Sequence, residues 1–329
     1  MSINPRSFKD QATLPCIMLP PSKSPKSFDR DDVIEKIENH FNKRSTQTFR
    51  SIALYGIGGA GKTHVAIKYA QARYKQHKIN AVLWVEAETK IKVKQSFSDI
   101  AGRLQLPGYV PHNHDDNRLL VMTWLQQTML KNVGENKLMI QIQIIAEAKW
   151  LIVYDNVESF DVLVTHWPNL AANGHALITT RNTDLAWEPA EVGIEVETWD
   201  IDNGAKCIIH LLADHISADV LASQFNSALE LSERLSGHAL ALDRMAGVIH
   251  KRGWTIGQLV EIYDRAPEFG QNGIGPVWQI SFQNLSVNAS SILAVISCCS
   301  ADRIPEMLFQ PGEPGKLATE LPWCGDVLT

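Results

Sequence analysis

The sequence predicts an α/β fold, a parallel sheet with flanking helices, followed by a helical domain. Three observations carry this. Between residues 31 and 202, short apolar runs alternate with segments of helical period, the pattern of strands joined by crossover helices. The run Trp150–Tyr154 is almost wholly apolar, as expected of a strand covered on both faces. After Asp202 the strand-like runs stop and only helical periods follow.

The elements follow in chain order. Residues 1–27 read as a leader, where Pro15, Pro20, Pro21 and Pro25 exclude a continuous helix. Val33, Ile34, Ile37 and Phe41 recur at helical spacing and predict a helix over Asp31–Phe41, capped by Asp29 or Asp31. Ser51–Tyr55 is a strand running into a glycine-rich loop, and Thr63–Tyr74 is the helix after it. Ala81–Val85 is a strand; Lys94–Leu104 and Arg118–Thr128 are helices. Trp150–Tyr154, Ala176–Thr180 and Ile194–Val196 complete the strands. Gly204–His215, Ala218–Leu235, Leu240–Arg252 and Ile256–Arg265 are helices, with Ser236-Gly237 a break between two of them. The domain division is therefore 28–202 for the sheet domain and 203–268 for the helical domain. Further helical pattern runs over 276–309, and 310–329 reads as a loose tail.

Composition narrows the function. A chain of 329 residues suffices for about two domains. Its net charge is -5, so the basic excess of a nucleic-acid-binding domain is missing and nucleic acid is not an expected partner. No apolar run approaches the roughly 18 residues of a membrane span, so no membrane association is expected. Five cysteines with no C-x-x-C spacing do not form a disulfide framework. A cytoplasmic protein is the expectation.

The strongest motif is Gly56-Ile57-Gly58-Gly59-Ala60-Gly61-Lys62-Thr63, a P-loop between a strand and a helix. Glycines let successive N–H groups converge without side chains in the way, and the helix that follows turns its unsatisfied amides and dipole the same way. In this pattern Lys62 reaches the terminal phosphates of a nucleotide, and the Thr63 hydroxyl ligates Mg²⁺. Leu151-Ile152-Val153-Tyr154-Asp155 is an apolar strand ending in an acid, the pattern of the carboxylate that holds the nucleotide's Mg²⁺. The next residue is Asn156, where many hydrolysing proteins carry a second acid; an amide holds a water but does not accept its proton. Glu158 is a nearby alternative. Ile178-Thr179-Thr180-Arg181 ends a strand with two hydroxyls and a guanidinium, which reads equally as a γ-phosphate contact or as a surface ion pair.

In this order the segments resemble the NB-ARC nucleotide-binding module of STAND-class signalling ATPases, and in particular the fungal NLR-like proteins. The resemblance rests on Ser51–Thr63, Trp150–Glu158, Ile178–Asn182, Phe28-Asp29-Arg30 and Leu231–Leu242, and spans about residues 15–309. It implies a P-loop NTPase fold and adenine nucleotide (ADP/ATP) with Mg²⁺ as cofactors. It implies Arg30 near the base and ribose. Gly58, Gly59, Ala60, Gly61, Lys62, Thr63 and the adjoining His64 would lie at the phosphates, Thr63 and Asp155 at the metal, and Arg181 at the γ-phosphate. Gly237 and Ala239 would close over the adenine. Lys62, Asp155 and Arg181 are the residues it implies for catalysis. Four departures stand against it. Ala239 replaces the motif's proline, and Phe28-Asp29-Arg30 is shorter than the family segment. Residues 129–148 are an atypical insertion, either an edge element or a gene-model artefact. Residues 276–309 resemble the start of a winged-helix domain that the chain does not complete.

Three functions are open on these grounds. One is an ADP/ATP switch in signalling, of the kind found in innate immunity, that self-associates on ATP binding and hydrolyses ATP slowly or not at all. The second is a turnover ATPase, a motor or loader, against which Asn156 argues. The third is a degenerate interaction module from a truncated gene. His112 and His114 beside Asp115 and Asp116 read as a solvated loop, because no third ligand at zinc-like spacing accompanies them. Trp84, Trp150 and Trp167 read as core, as does Cys298-Cys299.

Overall fold

A computed structural model describes residues 12–20, 28, 30–43, 49–127, 148–168, 174–264, 282 and 285–297. Among them six strands form one sheet in the order β1-β3-β4-β5-β2-β6. They are β1 (Cys16–Ile17), β2 (Arg50–Tyr55), β3 (Ala81–Glu86), β4 (Trp150–Val157), β5 (Gly174–Thr180) and β6 (Val192–Glu195). Every pairing is parallel. Crossover connections demand this, and the consequence matters for function: all six strands deliver their carboxyl ends to one edge.

The apolar strands are explained by a core on each face. Successive side chains of a strand point to opposite faces. Ala53, Leu83, Val85, Ile152, Tyr154 and Ile178 therefore pack on one face, against α3 (Lys90–Arg103) and α4 (His114–Gln127) through Phe97, Ile100, Val121, Trp124 and Leu125. Ile52, Leu54, Val82, Trp84, Leu151, Val153 and Leu177 pack on the other, against α1 (Asp31–Phe41) and α2 (Lys62–Lys75) through Val33, Ile37, Val65 and Tyr69. Trp84 and Trp150 are buried, as expected, and Trp167 packs at the margin of the core.

Among the described residues, β6 is followed by α5 (Ile201–Leu212), α6 (Ala218–Ser223), α7 (Phe225–Arg234), α8 (Ala239–Arg252) and α9 (Ile256–Asp264). They enclose their own cluster, with Ile208, Leu231, Leu242, Met245, Ile249 and Leu259 buried. A further helix, α10, runs over Val287–Ser297.

Several expectations are corrected. The leader contributes β1, whose Cys16 pairs with Ala81 and is buried. Arg30, not an aspartate, occupies the position before α1 and makes no side-chain cap; Asp31 is the first helical residue and Asp29 lies outside the described residues. The single helix expected over Ala218–Leu235 divides at Gln224. His114 is not in a loop: it opens α4, with Nδ1 2.7 Å from the Ser98 hydroxyl, and no metal-ligand cluster occurs among the described residues. Cys298-Cys299, the tail and nearly all of the 129–148 insertion lie outside the described residues. No helix among the described residues is long and apolar enough to cross a membrane.

Gly174 opens β5 directly against the Trp150 indole, and a Cβ there would collide with the ring. Trp150 is fully buried and has no room to give way. Gly174→Ala is expected to lower stability by about 1–3 kcal/mol, measured by urea denaturation; an unchanged midpoint would show that the ring moves freely.

Candidate functional site

The glycine loop joins β2 to α2 at the carboxyl edge of the sheet. Gly61, immediately before the helix, holds φ at 101°, a left-handed conformation that glycine adopts without penalty. The carbonyls of the loop are all engaged. Lys62 Nζ donates to the carbonyls of Gly56 at 2.8 Å and Ile57 at 2.7 Å. Arg30 Nη2 donates to Ala60 O at 3.4 Å. The Leu240 N–H donates to Gly59 O at 3.1 Å. His238 Nε2 lies 2.8 Å from Gly58 O. The Ala60 amide turns back on Ile57 O at 3.4 Å. Among the described residues, the N–H groups of Gly58, Gly59, Gly61, Lys62 and Thr63 have no protein acceptor. A run of unmatched amides at a helix start, beside a lysine, is suited to an anion.

Asp155 on β4 is reached from two sides. Thr63 Oγ1 donates to its Oδ1 at 2.8 Å and Thr179 Oγ1 at 2.5 Å. Burial raises the Asp155 pKa above the usual carboxylate value; the two hydroxyl bonds oppose this, and Glu88 and Glu86 add to it. Burial lowers the pKa of Lys62, with Arg181 acting in the same direction and Asp155 and Glu158 against it. A desolvated carboxylate touching a threonine hydroxyl is a hard-oxygen donor set with charge to neutralise, and so fits Mg²⁺.

Asn156 has a φ of 61°. Its N–H donates to Thr179 Oγ1 at 2.8 Å, and its side-chain amide donates to Glu88 Oε1 at 2.8 Å. Glu88 is in turn bonded to Lys92. Arg181 follows β5 and is exposed. It lies against the loop, since a Cβ on Gly58 would come within 3.4 Å of its guanidinium.

Arg30 is buried, with its guanidinium 3.7 Å from the centroid of the Trp199 ring and Phe28 edge-on to the same ring. Burial lowers its pKa, opposed by Asp32, Cys207 and Glu197. Gly237, at φ 62°, accepts from the Trp199 N–H at 2.9 Å. A cavity of about 640 Å³ opens beside this stack, between α1, β6 and residues 197–200; the glycine loop does not line it.

Of the residues singled out from sequence, Arg30, Gly58 to Thr63, Asp155 and Arg181 converge on one edge. His64 sits in the first turn of α2, and Gly237 borders the loop through its neighbours. Ala239 opens α8 between His238 and Leu240, which bond the loop from the helical region. His238 and Trp199 carry no signal of their own in the sequence. The hydroxyls of Thr179 and Thr180 were visible as a pair, but their partners were not.

A parallel sheet with a glycine loop feeding a helix, and a hydroxyl–carboxylate pair on its carboxyl edge, is of the P-loop NTPase class. The NB-ARC domain profile matches residues 30–208, and the chain belongs to that family, a nucleotide-binding module of STAND type. A nucleotide-binding leucine-rich repeat (NLR)-like protein of Hyaloscypha variabilis is 21% identical over 298 residues, covering 79% of this chain and 28% of that protein. A STAND protein with a tetratricopeptide repeat sensor from Pyrococcus horikoshii shares the fold, with a TM-score of 0.50 at 15% identity, over 91% of this chain and 39% of that one. The chain thus spans well under half the length of either.

The raised Asp155 pKa has a consequence for stability. A carboxyl whose folded pKa is raised favours the folded state while protonated, and that contribution is lost as pH rises through the folded value. Asp155→Asn is therefore expected to stabilise the nucleotide- and metal-free protein at pH 8, with the difference narrowing as pH falls toward the carboxylate range. Denaturation midpoints at two pH values check this, and a lower midpoint for the variant at pH 8 contradicts it.

Proposed function

We propose that this chain is an adenine-nucleotide switch of intracellular signalling, acting in the cytoplasm. ADP holds the sheet and helical regions together; ATP in its place favours an open form that self-associates. The observation that carries this reading is the bonding of the glycine loop by the helical region through His238 and Leu240. Whatever fills the loop acts on the contact between the two regions. A ligand shifts such a balance only by its differential affinity for the two arrangements. Lys62 and Arg181, both beside the loop, are the cations placed to respond to a third phosphate.

In this reading the amides of Gly58, Gly59, Gly61, Lys62 and Thr63 bind phosphate oxygens, and Thr63 and Asp155 would hold Mg²⁺, which neutralises phosphate charge when bound. Arg30, Gly237 and Ala239 lie toward the base. Hydrolysis is slow, because general-base catalysis contributes roughly 10²–10⁴-fold and Asn156 has no basic oxygen to give. Its side-chain amide is already committed to Glu88. The same residue disfavours a turnover ATPase.

ADP with Mg²⁺ at 100 times its Kd is expected to stabilise the protein by roughly 2.7 kcal/mol, and Lys62→Ala to abolish most of that gain, as read by thermal denaturation. Phosphate release from ATP is expected to stay far below one turnover per second. An unchanged ADP response in Lys62→Ala contradicts the site; many turnovers per second without a partner contradict the switch.

A further inference from the structure

The peptide between Gly58 and Gly59 is the one in the loop with glycine on both sides. Glycine on each side leaves no Cβ to resist a flip of that peptide plane. A trans peptide is planar, so the carbonyl of one residue and the N–H of the next point in opposite directions. Whatever holds the Gly58 carbonyl therefore decides where the Gly59 N–H points. The Ile57 and Ala60 carbonyls are held by Lys62 and Arg30, on the sheet side. The Gly58 carbonyl is held by His238, from a turn 180 residues away.

His238 is itself fixed. It is 7% exposed, and its Nδ1 accepts the Ala241 N–H at 3.4 Å as the cap of α8. The ring proton therefore resides on Nε2, which donates to Gly58 O at 2.8 Å. A Cβ on Gly59 would collide with the imidazole, so the ring lies directly against the loop. Leu240 adds a main-chain bond to the next carbonyl, Gly59 O, at 3.1 Å.

We propose that His238 is a positioning residue for the phosphates of the bound nucleotide: it pins the Gly58 carbonyl outward and so aims the Gly59 N–H at a phosphate oxygen. The cradle is then built in part by the helical region, and is incomplete without it. This rests on the nucleotide-binding reading above and adds to it the residue that transmits it.

The test separates aiming from packing. His238→Asn keeps an oxygen to cap α8 but is too short to reach Gly58, whereas His238→Gln places an amide donor at about imidazole reach. Binding of ADP with Mg²⁺ and of adenosine is measured by calorimetry and competition for the parent and both variants. The expected result is a loss of ADP affinity of about tenfold or more in His238→Asn, the scale of one hydrogen bond to a charged group. Adenosine affinity is expected to be unchanged, and His238→Gln to recover most of the loss. Equal ADP affinity in parent and His238→Asn overturns the proposal, as does an equal loss for adenosine and ADP, which marks a packing role. A parent protein that takes up no ADP sinks the nucleotide reading itself, a separate outcome. If the variants do not fold, hydrogen exchange of the Gly59 amide in the parent decides: ADP must slow it, and no slowing overturns the proposal.

Discussion

The carbonyls of residues 56–60 have to be satisfied somewhere, and the rest of the site follows from where. A glycine-rich segment has the freedom to turn its carbonyls outward and its amides inward. Here a lysine from the following helix, an arginine from the leading segment, His238 before α8 and the Leu240 amide in its first turn take those carbonyls on the outside. The amides of Gly58, Gly59, Gly61, Lys62 and Thr63 are thereby left without a partner among the described residues, where an anion of suitable shape can meet them. Lys62 serves the protein twice, organising the loop through two carbonyls while lying where a polyphosphate would draw it away.

The sheet provides the rigid frame for this. Because all strands run parallel and both faces are buried, the carboxyl edge is a fixed line carrying Glu86, Asp155, Thr180 and the start of the loop. Asp155 and Thr63 meet although they come from strand–loop units two positions apart in the sheet, with Thr179 on the intervening strand completing the contact. Burial disfavours the charged form of both Asp155 and Lys62, and an opposite charge placed beside either would offset that.

Much of this was legible in the sequence, for a physical reason. Strands covered on both faces lose their alternation and become visible as apolar runs, and a glycine loop between a strand and a helix has few other uses. The misses are equally physical. β1 is a two-residue strand among prolines, too short for any period to register. The break at Gln224 falls inside an uninterrupted helical period. The partner of the Asn156 side-chain amide, Glu88, comes from the turn after β3 and leaves no local trace. Ala239 stands at the motif's proline position. The residues on either side make the contact, and a partner 180 positions away is a property of the fold alone.

Mass spectrometry of whatever small molecule the purified protein releases on denaturation bears most directly on the central claim that residues 58–63 cradle the phosphates of an adenine nucleotide. ADP is expected in near-stoichiometric amount, and none from protein carrying Lys62→Ala. A protein that releases no nucleotide, and takes up neither ADP nor ATP at millimolar concentration with magnesium, contradicts it.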